Sequence, residues 1–113
     1  MMHFMKLKDK PFRAIAEGRK TIELRLYDEK RRLVAVGDKI EFTAMSDNTQ
    51  KITVTVTALH LFDSFESLYA ALPLEKCGYD SDSIKTASAA DMREYYPEEE
   101  QKKYDVVGIE FEK

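Results

Sequence analysis

The stretch GRKTIELRL, residues 18–26, sets a glycine, three cations and a glutamate among three aliphatic residues. Read with a period of two, it places Ile22, Leu24 and Leu26 on one face of a strand and Thr21, Glu23, Arg25 and Tyr27 on the other. The residues before it, KPFRAIAEGR, have helical spacing instead. Asp9 is suited to cap that helix, with its first position near Pro11 and with Phe12, Ile15 and Ala16 as its inward stripe. Gly18 ends the helix in a left-handed turn, which swings the chain into the strand and presents Lys20 at the joint. A short helix running straight into a strand is the first sign of an α+β chain.

Working outward, HFMKLKD near the start suits a short strand. DEKRRLVAVGDKIEF contains a charged loop, residues 28–36, that is either a lid or a mobile turn. It leads through the turn signal Gly37-Asp38 into the strand KIEFTAM. SDNTQ is a polar turn. KITVTVTALHLF is the clearest strand, alternating Ile52, Val54, Val56 and Ala58 with three threonines. DSFESLYAAL reads as a helix with Asp63 and Glu66 at capping-box spacing, stopped by Pro73. SAADMREYY reads as another, with Ser88 and Asp91 as cap and partner, ended by Pro97; EEEQKKY adds a turn. DVVGIEFEK closes the order as a strand with Val107, Ile109 and Phe111 inward. The expected fold is one α+β domain over residues 1–113, a small β-barrel of mixed or antiparallel strands flanked by short helices. The long crossovers of a doubly wound parallel sheet are missing.

Composition limits the function classes. The 113 residues are 43% apolar and 35% charged, a soluble globular mixture. No stretch approaches the roughly 18 apolar residues of a membrane span, and MMHFMKLKDK lacks the apolar core of a secretion signal. Cys77 is the only cysteine, so a cytoplasmic location is expected. The net charge of -3 conceals an asymmetry: residues 1–32 hold ten Lys or Arg against five acids, the remainder eight against sixteen. Such a basic end gives either a cationic face for a nucleotide or short RNA, or simply a solvated surface.

Common catalytic signatures are absent. There is no glycine-rich phosphate loop and no H-E-x-x-H, and two distant histidines, His3 and His60, with a single cysteine point to no metal and no cofactor. Tyr95, Tyr96 and Tyr104 suit base stacking, but aromatics at helical spacing beside Met92 are more often core. What remains is Lys20, Glu23 and Arg25. Glu23 and Arg25, two apart on one strand face, form either a structural ion pair or a divided recognition device. In the second case Arg25 grips a phosphate or carbonyl while Glu23 accepts from an amino group.

The spacing G-x-K-x-x-E-x-R (Gly18, Lys20, Glu23, Arg25), GDKIEF about a dozen residues later, and YYPEEEQKKYDVVGIEF at the end together resemble the ASCH domain of the PUA-like superfamily, in its small, single-domain bacterial form. The resemblance spans nearly the whole chain. It implies a PUA-type barrel with a cleft beside the helix-to-strand joint, and RNA or a nucleoside as the partner. Lys20, Glu23 and Arg25 would line that cleft, with Arg13, Arg19 and Tyr27 as helpers and Gly18, Gly37 and Asp38 as structural positions. Some small bacterial ASCH proteins remove the acetyl group from N4-acetylcytidine with a lysine, a threonine and a glutamate. Lys20 matches the lysine, whereas Glu23 stands at the threonine position; Glu75, Asp80 and Asp82 are the acids available for the third role. Other ASCH proteins are ribonucleases, in which Lys20, Tyr27 and a carboxylate would share the proton transfers. An RNA- or nucleoside-binding domain is the first expectation, a metal-free amidohydrolase the second, and a ribonuclease or protein-interaction module the third.

Overall fold

The structure, a computed structural model, describes residues 1–113 with the exception of the Glu94 side chain. Five strands, β1 (Met2–Leu7), β2 (Ile22–Leu26), β3 (Lys39–Ala44), β4 (Lys51–Phe62) and β5 (Val106–Glu112), form one sheet in the order β1-β3-β4-β5-β2. Strand β1 runs parallel to β3, and the other three pairings are antiparallel. The helices are α1 (Asp9–Ala16), α2 (Phe65–Ala71) and α3 (Glu98–Tyr104), with 3-10 turns at Arg31–Leu33, Leu74–Cys77, Ser83–Thr86 and Ala89–Glu94. The sheet curls into a half-barrel of α+β type. Its edge strands β1 and β2 share no ladder. Arg25 Nη2 spans the seam between them, donating to the Lys6 carbonyl at 3.2 Å.

Two hydrophobic clusters lie on opposite faces of the sheet. The larger holds Met5, Leu7, Phe12, Ile15, Ile40, Phe42, Val54, Val56, Val107, Ile109 and Phe111, so α1 plugs the curl with Phe12 and Ile15. The smaller packs Ile22, Leu24, Leu26 and Val106 against Phe65 and Leu68 of α2, Cys77 and Met92. Strands β2 and β5 are therefore covered on both sides. This explains why Glu23, on the polar face of its strand, is nevertheless 4% exposed.

The sequence reading is refined in four places. Helix α1 begins at Asp9, with Lys8 as an N-cap that makes no side-chain bond. Pro11 is tolerated there because first-turn amides have no helical partner, and the Asp9 carboxylate instead accepts from Ser46 Oγ in the β3–β4 turn. Helix α2 is capped by Ser64, whose Oγ accepts from the Ser67 amide at 3.1 Å, and not by Asp63. The Ser88–Asp91 capping box forms, but it heads a 3-10 turn. Strand β4 spans the expected residues, but a bulge between Val56 and Ala58 shifts its phase, so Leu59 packs on the larger cluster in place of Ala58.

Candidate ligand cleft

Three backbone bonds close the α1–β2 joint. Gly18, at φ +78°, donates to the Ile15 carbonyl at 3.0 Å, and the amides of Arg19 and Lys20 both reach the Ala14 carbonyl. The Thr21 amide then bonds the Lys76 carbonyl at 2.8 Å, which fastens the Leu74–Cys77 turn over the start of β2. Beneath that turn runs Lys20, 8% exposed. Its Nζ lies 2.7 Å from Glu23 Oε1. Arg25 approaches the other oxygen, Glu23 Oε2, with Nε at 2.9 Å and Nη2 at 2.8 Å. Burial alone would raise the Glu23 pKa, but Lys20 and Arg25 outweigh it and hold the carboxyl below its usual range. Burial likewise pulls Arg25 downward, and Glu23 together with Tyr96 more than restores it. Glu23 is thus held as a carboxylate between the Lys20 and Arg25 side chains.

These side chains floor a cleft of about 420 Å³ at the seam between β1 and β2, within the usual span of small-molecule sites, about 300–1,000 Å³. Among the described residues its lining holds six cations, Lys6, Lys8, Lys10, Arg19, Lys20 and Arg25, against two carboxylates, Glu23 and Asp91, so the cavity favours anionic ligands. Tyr95 stands 53% exposed at the rim with Lys8 Nζ 5.0 Å from its ring centroid. Tyr96 lies deeper, stacked on Phe65 at 6.0 Å. On the wall formed by α2 and the 3-10 turns, Tyr69 OH meets Tyr79 OH at 2.6 Å, and Tyr79 OH donates to Asp91 Oδ2 at 2.9 Å. Burial pushes the pKa of both phenols up.

The ASCH domain model matches residues 5–113. The chain belongs to the ASCH domain family. Among solved structures, the hypothetical protein PH0355 is 35% identical with a TM-score of 0.80, covering 99% of this chain and 98% of that one. Protein PF0455 from Pyrococcus furiosus is also 35% identical, with a TM-score of 0.74 over 99% and 96% of the two chains. ASCH from Zymomonas mobilis, 16% identical with a TM-score of 0.70 over 99% of this chain and 67% of that one, shares the fold. No curated protein matches the sequence. Among the described residues of this ASCH domain, no helix is long and apolar enough to cross a membrane.

Within the ASCH domain, Lys20, Glu23, Arg25 and Arg19 converge on the cleft, Arg19 also bonding Glu17 at 3.0 Å. Arg13 lies on the solvent side of α1, and Tyr27 packs against the larger core cluster with the Arg32 guanidinium 4.5 Å above its ring; neither lines the cavity. Gly37, at φ +95°, shapes the turn before β3, where Asp38 accepts from His3 Nε2 at 2.8 Å and from the Ala35 amide at 3.0 Å. The acids Glu75, Asp80 and Asp82 also fall outside the cleft; Asp80 accepts from the amides of Asp82 and Ser83 in its own turn. Asp91 occupies the far wall in their stead. Its capping spacing from Ser88 marked it as structural, and only folding brings the same carboxylate to Tyr79. Tyr69 and Tyr79 carry no sequence signal, since ten residues and a helix end separate them.

Proposed function

We propose that this ASCH domain binds single-stranded RNA, seating one nucleotide in the cleft without chemical turnover. The observation that carries this reading is the ion-paired Lys20–Glu23–Arg25 triad flooring a cavity whose rim adds Lys6, Lys8, Lys10 and Arg19. Rim cations suit the phosphates, which supply most of the affinity of such complexes. Tyr95 and Tyr96 offer ring faces for a base, and Lys20 has N–H groups beyond the one directed at Glu23. Fluorescence anisotropy with a labelled single-stranded RNA of about ten nucleotides tests it. Binding should weaken steeply with salt, by a log–log slope of about −0.7 per neutralised phosphate. It should drop about tenfold or more in the Lys8→Glu, Lys10→Glu double variant. An absence of saturable binding at low salt, or binding indifferent to both rim substitutions and to Lys20→Ala, would overturn the proposal.

A second reading, a metal-free amidohydrolase acting on N4-acetylcytidine, is supported by one contact, the 2.7 Å approach of Lys20 to Glu23. Against it, Glu23 is tied to two cations and held at lowered pKa, which weakens it as a base, and no hydroxyl stands at its position. Release of acetate from N4-acetylcytidine that disappears in Lys20→Ala would make this reading the correct one.

A further inference from the structure

The Tyr69–Tyr79–Asp91 chain has a fixed polarity. A carboxylate only accepts, so Tyr79 must spend its single proton on Asp91 Oδ2, at 2.9 Å. The Tyr79 oxygen is then the acceptor in the 2.6 Å contact with Tyr69, which spends its own proton there. Raised pKa values keep both phenols protonated at neutral pH, so the order is not lost by ionisation. Asp91 is itself anchored, since its Oδ2 also accepts from the Ser88 amide at 3.2 Å. The Tyr69 and Tyr79 rings meet edge-on, centroids 5.8 Å apart at 80°, which holds the hydroxyls in register. Tyr69 therefore reaches the cleft lining with lone pairs and no proton to give. The cleft floor, Lys20 and Arg25, has the reverse character and can only donate.

We infer that Tyr69 is a specificity-determining residue whose hydroxyl oxygen accepts an N–H from the bound base, so that the cleft selects bases presenting a donor beside an acceptor. This rests on the RNA-binding reading above and adds a residue and a chemical requirement to it. Every unmodified base meets the requirement on its pairing edge, cytosine with its exocyclic amine and ring nitrogen and uracil with its imide N–H and carbonyl. Bases methylated at those nitrogens do not.

The experiment compares oligocytidylate and oligouridylate of about ten nucleotides with the same strands built from N4,N4-dimethylcytidine and 3-methyluridine, measured by anisotropy at one fixed salt. Wild-type protein should bind at least one unmodified strand about tenfold more tightly than its methylated counterpart, the worth of roughly one hydrogen bond. In Tyr69→Phe that ratio should fall to near one, with the methylated strand bound as before. A steric objection to the methyl groups would survive in Tyr69→Phe, which keeps the ring. Tyr79→Phe releases the Tyr69 proton, turns its hydroxyl into a potential donor and should also shrink the ratio. Equal binding of methylated and unmodified strands by wild type, or an undiminished ratio in either variant, overturns the inference and leaves RNA binding standing. No binding of any of the four strands overturns both.

Discussion

Lys20 passes directly under Gly78: a β-carbon at Gly78 would stand 3.3 Å from Lys20 Cδ. Gly78 also has φ +110°, a region that residues with side chains rarely adopt. Gly78→Ala combines backbone strain with pressure on the lysine stem. We expect a loss of about 1–3 kcal/mol in stability by urea unfolding, together with weakened RNA binding, because the displaced ammonium is the one that meets Glu23.

The triad should unfold asymmetrically under mutation. Glu23→Ala strands two cations, one of them buried, whereas Lys20→Met leaves Glu23 still paired with Arg25 and keeps most of the buried stem. Breaking a buried pair costs about 3–5 kcal/mol when a charge is left uncompensated. Glu23→Ala should fall in that range and Lys20→Met clearly below it. Chemical denaturation of both variants against wild type checks the order.

Acid should erode this stability in a defined direction. The Glu23 pKa is lower in the folded chain than its unfolded value near 4.5. Between those two values the unfolded chain binds more protons, so the contribution is present above 4.5 and is lost as pH falls through the folded pKa. Asp38 behaves alike: the hydrogen bond from His3 and the Ala35 amide hold its carboxyl at about 2, against an ordinary 3.8. Its share disappears as pH drops from about 4 through 2. Melting temperature followed from pH 7 to pH 2 should therefore fall below pH 4.5, and Glu23→Gln should flatten the upper part of that decline.

Cys77 should be nearly inert in the folded protein. It is 6% exposed, and burial pushes its thiol up to about 11, so almost no thiolate exists at pH 8. Reaction with a colorimetric disulfide reagent should be at least tenfold slower than for the same protein in denaturant.

Legibility in the sequence followed the range of the forces involved. Strand β4 was readable because alternation is a local signal, and the Ser88–Asp91 capping box because both partners lie within one turn. The α1–β2 joint was readable for the same reason, and with it the trio Lys20, Glu23 and Arg25. Other features depended on contacts between distant segments. The parallel pairing of β1 with β3 is one. The covering of both faces of β2 and β5 is another: Gly108 permits it by omitting a β-carbon that would lie 2.7 Å from Leu72 Cδ1. The wall of Tyr69, Tyr79 and Asp91 is drawn from a helix, a loop and a 3-10 turn whose spacing has no period. Arg13 was misleading because the basic charge of residues 1–32 is distributed around α1, and only folding determines which cations turn inward.

The link from Arg25 to the Lys6 carbonyl ties the interior of the cleft to the rim of the sheet. One guanidinium both braces Glu23 and buttons the unlaced edge of the half-barrel. A guest that drew Nη2 away from Lys6 would undo the button, so the cavity and the seam share one donor.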